Sequence, residues 1–235
     1  MKNKLVLVLV AALAVLGVSL NPLLAAENGV AVAIIYDTSG SMKETVRDSS
    51  GKSTPKYIIA NRALTGVANQ IQTFATNAPG GAPRRIDAGL FVFASDSARA
   101  AVPFGPFNAD ALRDFARKFS NPNGNTPLGN SLAVAAKTLL NSPLPRKHIL
   151  VITDGMNTAG LQPSVVMPRI QKDAQARQTA LSVHFVAFDI AASTFDAVKK
   201  QGATVVGAED EKQLNTQLNF ILQEKILLED EEPKK

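Results

Sequence analysis

Residues 30–36 read VAVAIIY, and DTSGS follows at once at residues 37–41. A continuous run of valine, alanine and isoleucine of this length is typical of a strand that is buried on both faces of a parallel sheet. In open α/β sheets, ligands bind just beyond the carboxyl ends of such strands. We therefore expect Asp37, Ser39 and Ser41 to lie in a ligand-binding crevice at this edge of the sheet.

The spacing of the oxygen-bearing side chains in this motif points to a metal. Asp37, Ser39 and Ser41 are two residues apart, so we expect their side chains to face one side of a tight turn, in which Gly40 is free to adopt an unusual backbone conformation. Ligands that are all oxygen favour Mg²⁺, Mn²⁺ or Ca²⁺ rather than zinc. The motif therefore predicts a site for a hard divalent cation.

The N-terminal segment has the pattern of an export signal. Lys2 and Lys4 precede an apolar run at residues 5–20, and a small-residue end follows at Leu24-Ala25-Ala26. We expect cleavage after Ala26, which places the rest of the chain in the periplasm or outside the cell. The alternative is an uncleaved membrane anchor, because the apolar segment is nearly long enough to span a bilayer. A short signal before a compact domain favours a bacterial exported protein.

The composition limits the class of protein. The 235 residues are 46% hydrophobic and include no cysteine, which suits one α/β domain and excludes disulfides, thiolate metal sites and cysteine nucleophiles. We predict one domain at residues 27–225 and a charged tail at 226–235. Removing residues 1–26 takes away two lysines and no acid, so the formal net charge falls from +5 to +3. The remaining basic residues are scattered, which gives a nucleic-acid interface little support.

Further along the chain, strand and helix patterns alternate. We predict strands at 86–94, 99–104, 148–153, 181–188 and 204–206, and helices near 60–74, 109–119, 128–139, 163–178, 193–201 and 214–222. Residues 43–56 are predicted as an exposed loop, and Pro168 is expected to delay the start of its helix. The order predicts a doubly wound, mostly parallel six-stranded sheet with helices on both faces, a Rossmann-like arrangement with one short antiparallel edge strand.

Two further segments bring oxygen ligands to the same edge. Asp154 follows the strand predicted at 148–153, and Thr126 lies in the loop before the helix that leads to that strand. Each residue alone has a structural explanation, since aspartate and serine cap helices, Thr126 before Pro127 is a typical helix start, and Asp154-Gly155 is a turn signal. Together, two carboxylates and three hydroxyls from three segments are a plausible cage for a hard divalent cation.

These residues resemble the metal-ion-dependent adhesion site of the von Willebrand factor type A domain. The signature of that family is D-x-S-x-S after the first strand, a distant threonine, and Asp-Gly after the fourth strand. Here these are residues 37–41, Thr126 and residues 154–155, and no position departs from the pattern. The resemblance extends over residues 29–222. It implies a bound divalent cation, with Mg²⁺ the expected ion and Mn²⁺ or Ca²⁺ the alternatives.

The resemblance also implies a role for each residue. Ser39 and Ser41 would bind the cation directly, Thr126 would do so in the ligand-bound form, and Asp37 and Asp154 would act mostly through water. Neutral hydroxyls leave the cation under-neutralised, so it would retain affinity for an Asp or Glu carboxylate of a protein partner. The implied function is adhesion, complex assembly or regulation without catalysis. Partner specificity would come from the loops at 43–56, 95–98, 121–126 and 156–163.

The enzymatic alternatives lack residues that they require. A metal-dependent phosphoryl-aspartate hydrolase needs a second carboxylate two residues after its nucleophile, where Ser39 stands, and acidic neighbours that Asp154 lacks. An aspartic protease needs two Asp-Thr-Gly/Ser loops, and the chain has one. A serine hydrolase needs a histidine beside its nucleophile, whereas we expect His148 and His184 to be packed or at the surface. A structural scaffold with an unused site is the non-enzymatic alternative.

Overall fold

The computed structural model describes residues 29–77 and 84–228. The predicted signal segment at 1–26 and residues 229–235 of the predicted tail lie outside these residues. The domain continues past its predicted end at residue 225, because Ile226 and Leu227 are buried in the core. Among the described residues, no helix has both the length and the apolar character needed to cross a membrane.

Strands and helices alternate for most of the described chain. The strands are β1 (Val30–Tyr36), β2 (Thr45–Arg47), β3 (Ser53–Pro55), β4 (Ile86–Ala94), β5 (Ser97–Pro106), β6 (Arg146–Thr153), β7 (Ser182–Phe188) and β8 (Thr204–Ala208). The α-helices are α1 (Lys56–Thr76), α2 (Ala109–Lys118), α3 (Leu128–Leu140), α4 (Pro163–Ala176), α5 (Asp196–Lys200) and α6 (Glu211–Phe220). Single 3₁₀ turns cover Gly40–Lys43 and Ala192–Phe195, and a π-helical segment, Ile221–Leu227, extends α6.

Six strands form the main sheet, in the order β5-β4-β1-β6-β7-β8. All neighbouring pairs are parallel except β4 and β5, which form an antiparallel hairpin. The predicted six-stranded, mostly parallel sheet is therefore confirmed. The antiparallel edge strand is longer than predicted, since β5 runs for ten residues.

β1 is buried on both faces, which explains its continuous apolar sequence. Ile34 and Tyr36 point to the face of the sheet that α1, α2 and α6 cover. Ala33 and Ile35 point to the opposite face, which α3, α4 and α5 cover. Because successive side chains of a strand alternate between faces, this one strand contributes to both halves of the core. The doubly wound arrangement is thus confirmed, with β1 and β6 as its central pair.

The predicted loop at residues 43–56 contains a short antiparallel hairpin. β2 and β3 pair in register, with Val46 opposite Thr54. Asp48 holds the connecting turn, since its carboxylate accepts hydrogen bonds from the backbone N–H groups of Ser50 and Lys52. The hairpin escaped prediction because its strands are three residues long and polar, so they show no hydrophobic alternation.

α4 begins at Pro163, without the delay that Pro168 was expected to cause. Proline at the first helical position lacks only an N–H that has no helical partner there. Pro168 lies deeper in the helix, where it cannot donate to the carbonyl of Ser164, four residues earlier. The side chain of Gln201 donates to that carbonyl at 3.0 Å and so replaces the missing hydrogen bond.

His148 and His184 are packed in the core near the N-terminal ends of β6 and β7. Their rings stack with centroids 5.5 Å apart, and Nδ1 of His148 lies 3.3 Å from Nε2 of His184. Burial lowers the pKa of His148 to about 3, with further contributions from His184 and Arg146. Burial and the nearby Lys225 lower the pKa of His184 to about 4. Both rings are therefore neutral near pH 7, and the prediction of packed histidines is confirmed.

This pair should make folding sensitive to acid. An unfolded histidine binds a proton near pH 6.5, whereas the folded pair resists protonation until the pH is far lower, so stability is lost as the pH falls below about 6.5. Between about pH 7 and about pH 5, each histidine should cost about 2 kcal/mol of unfolding free energy. Urea unfolding at both pH values should therefore show that the free energy of unfolding falls by about 2 kcal/mol less in His184→Phe than in the parent protein. Equal drops in the two proteins would contradict this prediction.

Candidate metal site

The sheet register brings Asp37 and Asp154 to the same edge. β1 and β6 are adjacent and parallel, with Tyr36 opposite Ile152, and the N–H of Asp37 donates to the Ile152 carbonyl at 3.0 Å. Each strand therefore ends beside the other. Asp37 lies one residue beyond β1, and Asp154 lies one residue beyond β6. This is the carboxyl edge at which open α/β sheets bind ligands.

Asp37 is a fully buried carboxylate whose two oxygens are both used. Oδ1 accepts a hydrogen bond from the N–H of Ser39 at 2.8 Å, and Oδ2 accepts one from the hydroxyl of Thr153 at 2.6 Å. Burial, followed by the negative charge of Asp154, raises the pKa of Asp37 to about 6, although these hydrogen bonds act against the rise. A cation beside Asp37 would favour the ionised carboxylate and so oppose this shift, which is why the carboxylate fits a metal site.

A chain of hydrogen bonds joins three of the other predicted ligands. The hydroxyl oxygens of Ser39 and Ser41 are 3.1 Å apart, and the Ser41 hydroxyl donates to Oδ1 of Asp154 at 2.8 Å. Ser39 is buried and Ser41 is half-buried, so the group opens towards solvent at Ser41. The structure therefore brings Asp37, Ser39, Ser41 and Asp154 into one cluster.

Thr126 reaches the cluster from the loop before α3. Its N–H donates to the hydroxyl of Thr158 at 2.8 Å, and its carbonyl accepts from the N–H of Thr158 at 3.0 Å. Gly155 lies between the hydroxyls, because a methyl group placed there would be 3.5 Å from Oγ1 of Thr126 and 3.7 Å from Oγ of Ser41. All five predicted site residues thus lie around one crevice.

Gly124 adopts a left-handed backbone conformation at this site, and Gly40 does not use its conformational freedom in this way. Gly124 has a φ of +84°, whereas Gly40 opens a 3₁₀ turn with a φ outside the left-handed region. The two glycines contact each other, since the N–H of Gly40 donates to the Gly124 carbonyl at 3.1 Å. The N–H of Asn123 donates to the carbonyl of Thr38 at 2.8 Å. These bonds fasten the Thr126 loop to the DTSGS turn.

Lys56 is a component of the site that the sequence analysis missed. Its ammonium is buried at the start of α1 and lies 3.0 Å from Oδ2 of Asp154, 2.9 Å from Glu44 and 2.9 Å from Asp189. Asp154 therefore presents one oxygen to Ser41 and the other to Lys56. Lys56 also joins three segments around the crevice, since Glu44 follows β1, Asp154 follows β6 and Asp189 follows β7.

The charge of Lys56 is fixed by its partners. Burial alone would lower the pKa of Lys56, but hydrogen bonds to Glu44, Asp189 and Asp154 outweigh that effect and raise it. Burial raises the pKa of Asp154, and the bonds from Lys56 and Ser41 act against the rise. A cation at the N-terminus of a helix opposes the helix dipole and needs a local reason, but this signal appears only once α1 is known to begin at Lys56.

The donor set contains few charges for a metal site. Across the described ranges 29–77 and 84–228, no three His, Asp or Glu side chains form a metal-binding group. The candidate ligands are instead two carboxylates and three hydroxyls, all of them hard oxygen donors. This set fits Mg²⁺, Mn²⁺ or Ca²⁺ by its chemistry.

The sequence matches the family profile of the von Willebrand factor type A domain over residues 32–157, a range that begins in β1 and ends three residues beyond Asp154. The chain belongs to this family. Direct comparison with curated protein sequences gives no match. The family assignment therefore depends on the profile, and the fold agrees with it.

Solved structures with this fold come from distant proteins. The PilB minor pilin from Streptococcus sanguinis is 16% identical, with a TM-score of 0.62, and the match covers 83% of this chain and 60% of that one. Proximal thread matrix protein 1 from the mussel byssus, whose metal-ion-dependent adhesion site (MIDAS) motif is occupied by zinc, is 13% identical. The match covers 84% of this chain and 48% of that one, with a TM-score of 0.57. The vWF domain of the type V pilus tip protein Mfa5 from Porphyromonas gingivalis is 12% identical, with 84% and 95% covered and a TM-score of 0.55.

These similarities show a shared fold. The chain spans about 60% of the length of the first of these proteins and about half of the second.

The ion cluster around Lys56 should be essential for stability. Replacing Lys56 with methionine leaves the buried Asp154 carboxylate without its cation, which typically costs about 3–5 kcal/mol. Denaturant unfolding of Lys56→Met should show a loss of this size. Glu44→Gln is the matched control, because Glu44 is exposed and solvent screens its contribution to the same cluster, so its loss should be much smaller. A Lys56→Met protein as stable as the parent would refute the structural role.

Proposed function

We propose that the chain binds one divalent cation at the DTSGS crevice and, through that cation, an acidic side chain of a protein partner. Ser39 and Ser41 would hold the cation directly, Thr126 would do so when the partner is bound, and Asp37 and Asp154 would hold it mostly through water. The proposal depends on the state of Asp37. Its carboxylate is fully buried and has a raised pKa, and no cationic side chain of the described residues contacts it. A bound cation would supply the missing positive charge.

The charges around the crevice explain why such a cation would recruit a partner. Asp37 and Asp154 each bring one negative charge to the crevice, and the ammonium of Lys56 offsets part of the charge of Asp154. Glu44 and Asp189 lie on the outer side of Lys56, where solvent screens them. The cluster therefore offers a divalent cation less than full neutralisation, and an incoming carboxylate would complete both its charge and its coordination.

Mg²⁺ is the ion we expect at this site, with Mn²⁺ and Ca²⁺ as alternatives. The ligands are oxygen only, and the hydroxyls leave room for the waters that Mg²⁺ usually retains. Zinc belongs in the same comparison because of the zinc-occupied motif in the structurally similar mussel protein. The affinity of the partner-free protein for the cation should be modest, since only two carboxylates take part.

The geometry favours binding over catalysis. In a phosphoryl-aspartate hydrolase, Asp37 would be the nucleophile, but both of its oxygens accept hydrogen bonds and none of its surface is exposed. Ser39 occupies the position that such an enzyme needs for its second carboxylate. The non-catalytic alternative, a scaffold with an unused site, differs from the proposal in a single property, which is saturable metal binding.

We also propose that residues 27–225 and the buried end of the π-helical segment act outside the cytoplasm. The signal pattern at 1–26 supports export with cleavage after Ala26, and an uncleaved segment would hold the same domain at a membrane. The similarity in fold to a minor pilin and to a pilus tip protein supports a role at a cell surface, in adhesion, assembly or regulation.

The direct test is a Mn²⁺ titration followed by paramagnetic resonance. The parent protein should bind one Mn²⁺ saturably, Asp37→Asn should lose that binding, and Thr126→Val should weaken it by about tenfold or more, as substitutions at supporting positions in metal sites do. Mg²⁺, Ca²⁺ and Zn²⁺ are then compared by their ability to displace Mn²⁺. The matched control is Asp173→Asn, an exposed carboxylate on α4, which should bind as the parent does.

Two results would contradict the proposal. The first is an absence of saturable binding in the parent protein, and the second is binding that Asp37→Asn and Thr126→Val leave unchanged. Metal-free thermal unfolding of each variant separates loss of a ligand from loss of the fold.

A further inference from the structure

Exposed apolar side chains are concentrated beside the metal crevice. In the described part of the chain, four large apolar side chains are more than two-fifths exposed, and three of them, Met156, Leu161 and Val165, lie within ten residues. This segment begins directly after Gly155, which faces the Thr126 and Ser41 hydroxyls of the site. Single exposed apolar residues are ordinary, but a cluster of them marks an interaction surface.

A cavity of about 250 Å³ opens under Met156 between the loop after β6 and the start of α5. Its walls come from residues such as Met156, Asn157, Pro163, Thr194 and Val198, and none of the side chains that line it is charged. The volume is below the range of about 300–1,000 Å³ that small-molecule sites occupy. We refer to this cavity as the side pocket, and its size suits a single side chain of a partner.

The side pocket and the metal crevice share a structural wall. Thr158 lines the pocket, and its hydroxyl accepts the hydrogen bond from the N–H of Thr126. Asn157 lines the pocket as well, and its side-chain oxygen accepts from the N–H of Gly129 at the start of α3. One loop therefore shapes the pocket and positions a candidate metal ligand. The two sites lie along the same loop, in which Gly155 faces the crevice and Met156 lines the pocket.

We propose that the partner presents a carboxylate together with an apolar side chain one to three residues away, and that this apolar side chain fills the side pocket. The inference rests on the proposed function, since the carboxylate binds the cation. Most of the exposed surface in the pocket is apolar, and a charged side chain would lose its hydration there without gaining a counter-charge, so the pocket favours an apolar side chain. The spacing follows from the shared wall, because Thr158 of the pocket is bonded to Thr126 of the crevice at 2.8 Å and each residue of an extended peptide spans about 3.3–3.6 Å.

This arrangement gives the domain a means of choosing among acidic partners. A metal–carboxylate contact alone is the same for every exposed Asp or Glu, so it discriminates little. Burial of one apolar side chain should strengthen binding by about tenfold or more. The side pocket would therefore supply specificity, and the cation would supply the common anchor.

The inference can be tested with a random peptide library. The immobilised protein is loaded with Mn²⁺, bound peptides are eluted with a chelator, and the eluted sequences are read. We expect each enriched peptide to contain Asp or Glu with an aliphatic or aromatic residue within three positions. One enriched peptide is then synthesised, and its affinity should fall by about tenfold or more when the apolar residue is replaced with serine.

Variants of the protein locate the contact. Ala197→Asp places a charge at the exposed wall of the pocket, and Met156→Ser removes its apolar rim. Both substitutions should lower the affinity for the enriched peptide by about tenfold and leave the affinity for Mn²⁺ unchanged. The matched control is Phe220→Ser, which removes the remaining exposed large apolar side chain, at the end of α6, and should have no effect.

The outcomes separate this inference from the proposed function. Enriched peptides that share only an acid, or an affinity that Ala197→Asp leaves unchanged, would overturn the side-pocket inference while leaving the metal–carboxylate contact intact. A protein that binds Mn²⁺ but yields no chelator-dependent peptides would overturn both the inference and the partner-binding part of the proposed function.

Discussion

The structure depends on two buried neighbouring carboxylates, Asp37 and Asp154, of which only Asp154 has an ammonium partner among the described residues. Burying a charge is costly unless it is paired or hydrogen-bonded. Asp154 meets this requirement through Lys56 and Ser41, whereas Asp37 has hydrogen bonds alone among the described residues. The fold therefore keeps a local excess of negative charge at the edge of its sheet, and a divalent cation is the simplest partner for it.

The rest of the fold explains why the excess charge persists. β1 and β6 are central strands buried on both faces, so the two aspartates cannot separate without moving the core. Lys56 ties the segments after β1, β6 and β7 together, and Thr158 fixes the Thr126 loop against the same edge. Functional groups held on rigid elements keep their geometry better than groups on free loops. The side pocket lies outside these elements, between the loop that follows β6 and the start of α5.

The strands and the five candidate ligands could be predicted because their signals are local. VAVAIIY and the run before Asp154 are apolar and continuous, and parallel strands place their carboxyl ends together. Lys56 could not be assigned, since its partner Asp154 is 98 residues away and no periodicity links them. The same holds for Gln201, whose hydrogen bond to Ser164 lets α4 accommodate Pro168, and for the short polar hairpin of β2 and β3.

We infer that the hydroxyls hold the cation directly, that the carboxylates lie behind them, and that one face of the cation is left for a partner. Crystals grown with Mn²⁺ and measured for anomalous scattering test this most directly. We predict one peak within about 2.3 Å of the Ser39 and Ser41 oxygens, with Asp37 joined to it through water. The account is contradicted if the Mn²⁺ displaces Lys56 and binds Asp154 and Asp189 directly, or if no peak occurs at the crevice.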